Sequence, residues 1–266
     1  MMNKNDGRNI AQENETRVLR ALHRFGWLRT RDLATLCWRR WAPKPSAMPD
    51  VARTQPTESA IRMAQRTLRR LRLSRFVILG RGADGSTLYA LSATGARRLK
   101  SMGITADSGK DLVRSFSSAH YRHRCIANEI AISGIVQGYR VSTEREISQG
   151  LWLGGESGVA GKRPDVLLRS EGRLYFIEVE RSRKNAKDYK ALLTWLGKVL
   201  QDSARRDGPR LLGLGQLWGK IIFICTGTFE KKLRKDLENV GWTQAQTDSL
   251  LCFETALYYF AETLFS

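Results

Sequence analysis

The sequence predicts a two-domain α+β protein, and three observations carry that expectation. First, charge is unevenly spread. The 266 residues include 45 Lys and Arg against 26 Asp and Glu, a net +19. Residues 1–100 hold 21 basic and 7 acidic residues, and the remainder 24 and 19. Second, the pattern changes along the chain: residues 15–104 read as helices followed by a hairpin, and residues 119–266 as helix, three strands, helix, strand. Third, residues 105–118 between them are small and polar with little periodicity, which predicts a linker. A basic front half and a nearly balanced back half suggest a polyanion-binding module joined to a domain with a different task.

In the front half, Val18, Leu19, Leu22 and Phe25 share one helical face that ends at Gly26. Thr30 is placed to cap a second helix through Asp32, Leu33, Leu36 and Cys37. A third helix follows Pro56-Thr57, with Ile61, Ala64, Leu68 and Leu71 on its apolar face and Arg62, Arg66, Arg69 and Arg70 on another. Only Glu58, four residues before Arg62, can offset that basic stripe at helical spacing. Residues 76–79 and 86–91 flank the turn Gly80-Arg81-Gly82-Ala83-Asp84-Gly85 and predict a hairpin, with Arg81 near its tip. Ser92 then opens a short helix. Three helices followed by a hairpin predict a winged helix-turn-helix that binds double-stranded DNA, with Arg62, Arg66, Arg69, Arg70 and Arg81 on phosphate. The 38–56 segment departs from that pattern. It holds four of the six prolines and separates the second and third helices by far more than a tight turn. Trp38 and Trp41 in it read as anchors.

In the back half, residues 121–133 predict a helix stopped by Gly134, 139–147 a strand, 165–168 and 174–180 two more strands, and 186–199 a helix. Residues 221–225 predict a buried strand, 229–240 a helix, and 256–260 a last strand. The chemistry concentrates in residues 163–180. Glu178 and Glu180 are two apart on a strand and so project to one face, with Val179 on the other; an adjacent strand brings Asp165 near them. Clustered carboxylates need a cation or basic partners. One reading is a Mg²⁺ or Mn²⁺ site, since hard oxygen ligands suit those ions; the other is ion pairing with Arg163, Arg181 or Arg183.

Several classes are set aside. The loop 150–161, followed by Lys162, lacks the spacing of a phosphate-binding nucleotide loop, with Glu156 and Arg163 at positions that require other residues. It reads as a mobile loop with no bound nucleotide. Cys37, Cys125, Cys225 and Cys252 have neither zinc-site nor disulfide spacing and read as packed thiols. No apolar run is long enough to span a membrane, the start carries no secretion signal, and a reducing bacterial cytoplasm is the expected location.

The helix, three strands, helix, strand series carrying Pro164-Asp165 and Glu178-Val179-Glu180 resembles the core of the PD-(D/E)XK nuclease superfamily, a restriction-endonuclease-like fold. That resemblance implies Asp165 and Glu178 as metal ligands and Asp165, Glu178 and Glu180 as the catalytic set. Glu180 stands where the superfamily has a Lys. Lys184, Lys187 or Lys190 are candidates to replace it, and Glu129, Glu144 or Glu146 to add a ligand. Across residues 15–230 the chain also resembles the replication-relaxation family of plasmid mobilisation and replication proteins. The resemblance rests on Leu88-Tyr89-Ala90-Leu91-Ser92-Ala93-Thr94-Gly95, on His123, and on Arg163-Pro164-Asp165 with Ile177-Glu178-Val179-Glu180-Arg181.

The second resemblance implies an accessory DNA-binding protein of plasmid or integrative-element mobilisation, acting at a transfer origin beside a relaxase. One alternative is an active Mg²⁺-dependent endonuclease. Another is a winged-helix regulator whose second domain serves dimerisation or protein contacts.

Overall fold

The computed structural model describes residues 4–52, 54–114, 118–180, 185–205, 210–213 and 215–256. The fold is mixed α+β with two sheets. Contacts divide the chain into two compact units, Met1–Trp41 with Thr54–Ile132 and Ala42–Arg53 with Ser133–Ser266. No helix among the described residues is long and apolar enough to cross a membrane.

In the first unit, α1 (Lys4–Phe25) ends where the sequence places its stop. Gly26 takes φ 81°, a left-handed conformation that glycine adopts without steric cost, and its N–H reaches the Leu22 carbonyl at 2.8 Å. Next comes β1 (Trp27–Arg29), which the sequence did not announce. Three residues, all buried, are too few to show an alternating pattern. After it follow α2 (Thr30–Trp38), α3 (Glu58–Leu73), β2 (Val77–Arg81), β3 (Thr87–Leu91) and α4 (Ala93–Lys100). The sheet runs β1-β3-β2, antiparallel throughout. Thr57 caps α3 through the Ala60 N–H, and Ser92 caps α4 through that of Gly95. The expected cap at Thr30 shifts by one residue: Arg29 precedes the first turn, and its N–H donates to Asp32 Oδ2 at 2.8 Å.

The expected linker is not one along most of its length. Ala106 and Val113 are buried, a 3-10 turn forms at Asp111–Val113, and the Gly109 N–H donates to the Leu91 carbonyl at 2.9 Å. Isolated apolar residues among polar ones carry no periodic signal, so the sequence hid this packing. Residues 115–117 lie outside the described residues. The next helix, α5 (Ser118–Val136), belongs to the first unit as far as Ile132, so the boundary falls later than residue 119. Tyr121 on α5 stacks on Trp27 with ring centroids 5.6 Å apart. Its hydroxyl donates to Asp84 Oδ1 at 2.7 Å, which fastens the hairpin turn.

A buried ion cluster locks the same unit. The Arg29 guanidinium donates through Nε and Nη2 to both oxygens of Asp32 at 2.9 Å, and through Nη2 to Glu129 Oε1 at 2.7 Å. Burial pushes the Glu129 carboxyl up, opposed by the charge of Arg29. Glu129, a candidate extra metal ligand in the sequence, is thus committed to Arg29.

In the second unit, β4 (Arg140–Ser142) is much shorter than the expected strand 139–147. Thr143 and Glu146 form a reciprocal cap that starts α6 (Glu144–Ser148): Ser/Thr followed three residues later by Glu favours a helix start over strand continuation. Then come β5 (Val166–Ser170), β6 (Arg173–Glu180), α7 (Ala186–Ala204), β7 (Leu217–Cys225), α8 (Gly227–Asn239), α9 (Gln244–Leu250) and β8 (Leu251–Glu254). The sheet order is β4-β5-β6-β7-β8; β4/β5 and β5/β6 are antiparallel, β6/β7 and β7/β8 parallel. The last described strand therefore precedes the expected 256–260, of which 257–260 lie outside the described residues.

Gly134 does not stop α5. A Cβ there would lie 2.6 Å from Leu168 Cδ2, so this glycine permits close approach of helix and sheet. The actual stop is Gly138, at φ 89°. The core joins Phe176, Phe223 and Trp218 of the sheet to Trp195, Leu196 and Val199 of α7 and Leu233 and Leu237 of α8. Residues 42–52 lie with this unit through bonds such as Ala42 N–H to the Val136 carbonyl at 2.8 Å.

Replacing Arg29 with Ala strands two buried carboxylates and should lower stability by about 3–5 kcal/mol. Glu129→Gln should cost much less, because Asp32 keeps its paired bonds to Arg29. Urea unfolding of the two variants measures this; equal losses would contradict the cluster's role.

Candidate functional site

The carboxylates meet as the alternation of β6 requires. Asp165 precedes β5, and its N–H donates to the Ile177 carbonyl at 2.9 Å, which sets it beside the end of β6. Asp165 Oδ2 accepts the Val179 N–H at 2.7 Å, continuing the ladder with a side chain where the β5/β6 pairing has ended. Glu178 and Glu180 follow on one face of β6, both buried at 4% and 6% exposure.

The structure adds a residue that sequence reasoning misses. Lys162 Nζ donates to Glu178 Oε2 at 2.7 Å and lies 5.7 Å from the centre of the Trp195 ring. A tight turn places it: Val159 N–H donates to the Lys162 carbonyl at 2.9 Å, and Lys162 N–H returns to the Val159 carbonyl at 3.2 Å. Gly158, at φ 75°, leaves no room for a Cβ, which would fall 2.5 Å from the Lys162 carbonyl oxygen. Trp195 Nε1 donates to the Val159 carbonyl at 2.9 Å. The end of loop 150–161 is therefore tied to the core, contrary to the expectation of a mobile loop. In the sequence Lys162 reads only as the end of a glycine-rich loop. Its position three residues before Asp165, just after a glycine, is the signal that could have found it.

The electrostatics follow from burial. Loss of water, with Asp165 and Glu180 adding to it, pushes the Glu178 carboxyl up against the pull of Lys162, from 4.5 to about 8. Burial lowers the Lys162 ammonium, but Glu178, with Glu180 and Asp165 behind it, outweighs that and raises it. Glu178 Oε1 is buried with no hydrogen-bond partner among the described residues.

Two of the carboxylate oxygens that an ion would use are already engaged. An ammonium already holds Glu178 Oε2, and a backbone N–H holds Asp165 Oδ2. Among the described residues no group of three His, Cys, Asp or Glu is disposed to hold a metal. Lys187 and Lys190, the candidate replacement lysines, are exposed on α7. Lys184, Arg181 and Arg183 lie outside the described residues. Arg163 is exposed and donates to the Glu156 carbonyl, while Glu146 accepts the Thr143 N–H at 2.8 Å. Cys37, Cys125 and Cys225 are buried thiols raised by burial to about 12, and Cys252 is partly buried; all four are free.

The basic stripe on α3 is narrower than its sequence. Arg62, Arg66 and Arg69 are exposed. The Arg62–Glu58 pair is 3.6 Å apart, with side chains 70% and 89% exposed, an interaction worth little in water. Arg70 differs: its Nε donates to Glu15 Oε1 on α1 at 2.8 Å, a partner that helical spacing within α3 cannot reveal. Arg81 is exposed and bonds the Gly85 carbonyl at 2.9 Å, bracing its own turn. His123 is half-buried on α5.

No protein-family model, curated protein or solved structure matches this chain.

Two outcomes follow from the Lys162–Glu178 pair. Above pH 8, where Glu178 is ionised, Lys162→Met should cost about 3–5 kcal/mol, and adding Glu178→Gln should restore most of it; a double-mutant cycle at that pH measures the coupling. The folded protein also holds a proton on Glu178 that the unfolded chain releases from about pH 4.5, so stability falls as pH rises toward 8. Glu178→Gln should flatten that fall in thermal melts; an unchanged pH profile would show that Glu178 is not its source.

Proposed function

We propose that the protein is a double-stranded DNA-binding accessory factor of plasmid or integrative-element mobilisation, with a nuclease-like second unit that is not hydrolytic on its own. The exposed row Arg62, Arg66 and Arg69 on α3 carries the DNA-binding part of this reading. Such a face suits phosphate, whose neutralisation supplies the sequence-independent part of DNA affinity. The order α1-β1-α2-α3-β2-β3, with a hairpin after α3, supports reading the first unit as a winged helix. The order β4-α6-β5-β6-α7-β7, preceded by the end of α5, and the acids at the end of the β5/β6 pair support reading the second as restriction-endonuclease-like. Mobilisation, and a relaxase as partner, rest on the sequence resemblance; co-purification with a relaxase encoded on the same element tests them.

The non-hydrolytic part rests on Lys162. Its ammonium donates to Glu178, the carboxylate that the resemblance makes a metal ligand, so an oxygen that an ion would use is already engaged. The same lysine gives a second reading its one support, since it brings a positive charge beside carboxylates whose third position is Glu180. That reading is a Mg²⁺- or Mn²⁺-dependent endonuclease. Incubation of supercoiled plasmid with the protein and either ion decides between them: no nicking is expected, and nicking abolished by Asp165→Asn would establish the second.

The triple variant Arg62→Ala, Arg66→Ala and Arg69→Ala should bind duplex DNA more weakly. The slope of log K against log salt should shrink by about 0.9 for every phosphate that is no longer neutralised. Arg70→Ala should instead lower stability with little change in that slope. Parent-like binding by the triple variant would remove α3 as the DNA face.

A further inference from the structure

A second basic surface lies on the other unit. Lys187, Lys190 and Lys198 fall along one side of α7, with Thr194 between the last two, at helical spacings of three, four and four. At about 1.5 Å per residue the row is about 16 Å long. Together with Ala160, Gly161 and Lys162 these residues line a groove of about 540 Å³. Lys187, Lys190 and Lys198 are exposed, and among the described residues none of them has an ion-pair partner. The one acid lining the groove, Asp188, accepts a hydrogen bond from Asn185 Nδ2 at 2.8 Å. Lys162 also lines it, and its ammonium donates to Glu178.

We propose that this groove grips the phosphate backbone of duplex DNA, giving the chain a second DNA-binding surface besides the arginine face of α3. It rests on the DNA-binding reading above and extends it to the second unit. Three considerations favour DNA over other anionic partners. The row repeats charge along a line, as a phosphate backbone does. The large apolar residues lining the groove, Leu192 and Trp195, are buried, so a protein partner would find no exposed anchor of the kind that dominates protein interfaces. A membrane surface would likewise find no large apolar side chain in the groove to insert. Lysine, a mobile point charge, suits backbone binding without sequence readout.

The test uses the full chain and a labelled duplex of arbitrary sequence, with affinity measured across a range of salt. The triple variant Lys187→Gln, Lys190→Gln and Lys198→Gln should bind more weakly, with a salt slope smaller by about 0.9 for each phosphate released from the groove. Replacing the same three with Arg should keep parent-like binding. Parent-like affinity and slope in the Gln variant, while the α3 arginine variant weakens, would overturn the groove and leave the DNA-binding reading intact. Failure of the parent to bind duplex at all would overturn both. A loss confined to single-stranded oligonucleotide would overturn the assignment to duplex.

Discussion

A carboxylate removed from water must find a cation or give up its charge, and both units are organised around that constraint. In the first, Arg29 joins the start of α2 to α5 by holding Asp32 and Glu129 together. In the second, Lys162 ties the end of a glycine-rich loop to β6 by holding Glu178. The cost of leaving any of these charges alone is several kcal/mol, a large share of the stability of an ordinary domain. These pairs therefore fix where segments distant in sequence meet, whatever they contribute to net stability.

The two clusters differ in what they leave over. Arg29 presents its planar fork to Asp32 through two nitrogens and reaches Glu129 as well, so one cation serves two acids. Lys162 offers a point charge to one oxygen of Glu178, and Glu178 Oε1 remains without a hydrogen-bond partner among the described residues. Burial, with Asp165 and Glu180 adding negative charge, holds the carboxyl near 8 rather than near its ordinary value. A buried carboxyl with an oxygen left unpartnered makes Glu178 a candidate rather than an ordinary structural pair. This is why the functional reading of the second unit centres on Glu178.

Much of this was legible in the sequence, and the parts that were not have physical reasons. Apolar periodicity located α1, α3, α7 and β7, because each buries one face or most of itself. The i, i+2 acids of β6 were legible because alternation follows from strand geometry. Three kinds of feature were hidden. β1 is too short to show a period. The packing of Ala106 and Val113 depends on partners distant in sequence. The second half of the expected strand 139–147 yielded to α6 because Thr143 and Glu146 form a reciprocal cap there. Lys162 was hidden differently: its meaning depends on Gly158 and the turn that aims it at Glu178, a relation no local motif expresses.

Net charge pointed to a class of partner but overstated the surface available to it. Of the arginines in the basic front half, Arg29 is buried against two acids, Arg70 is paired with Glu15 across helices, and Arg17 donates to the Cys37 carbonyl at 2.9 Å. These hold the fold. Arg62, Arg66 and Arg69 face water, with only the weak Glu58 pair beside the first. The nearly balanced back half conceals the opposite case. Its acids Asp202, Asp236 and Asp248 are bonded within the unit to Trp218, Lys232 and Arg234, while Lys187, Lys190 and Lys198 are left over on one face of α7. Net charge sums the two populations. Asking which cations already have a partner separates them, and only those left after that subtraction are available to a polyanion.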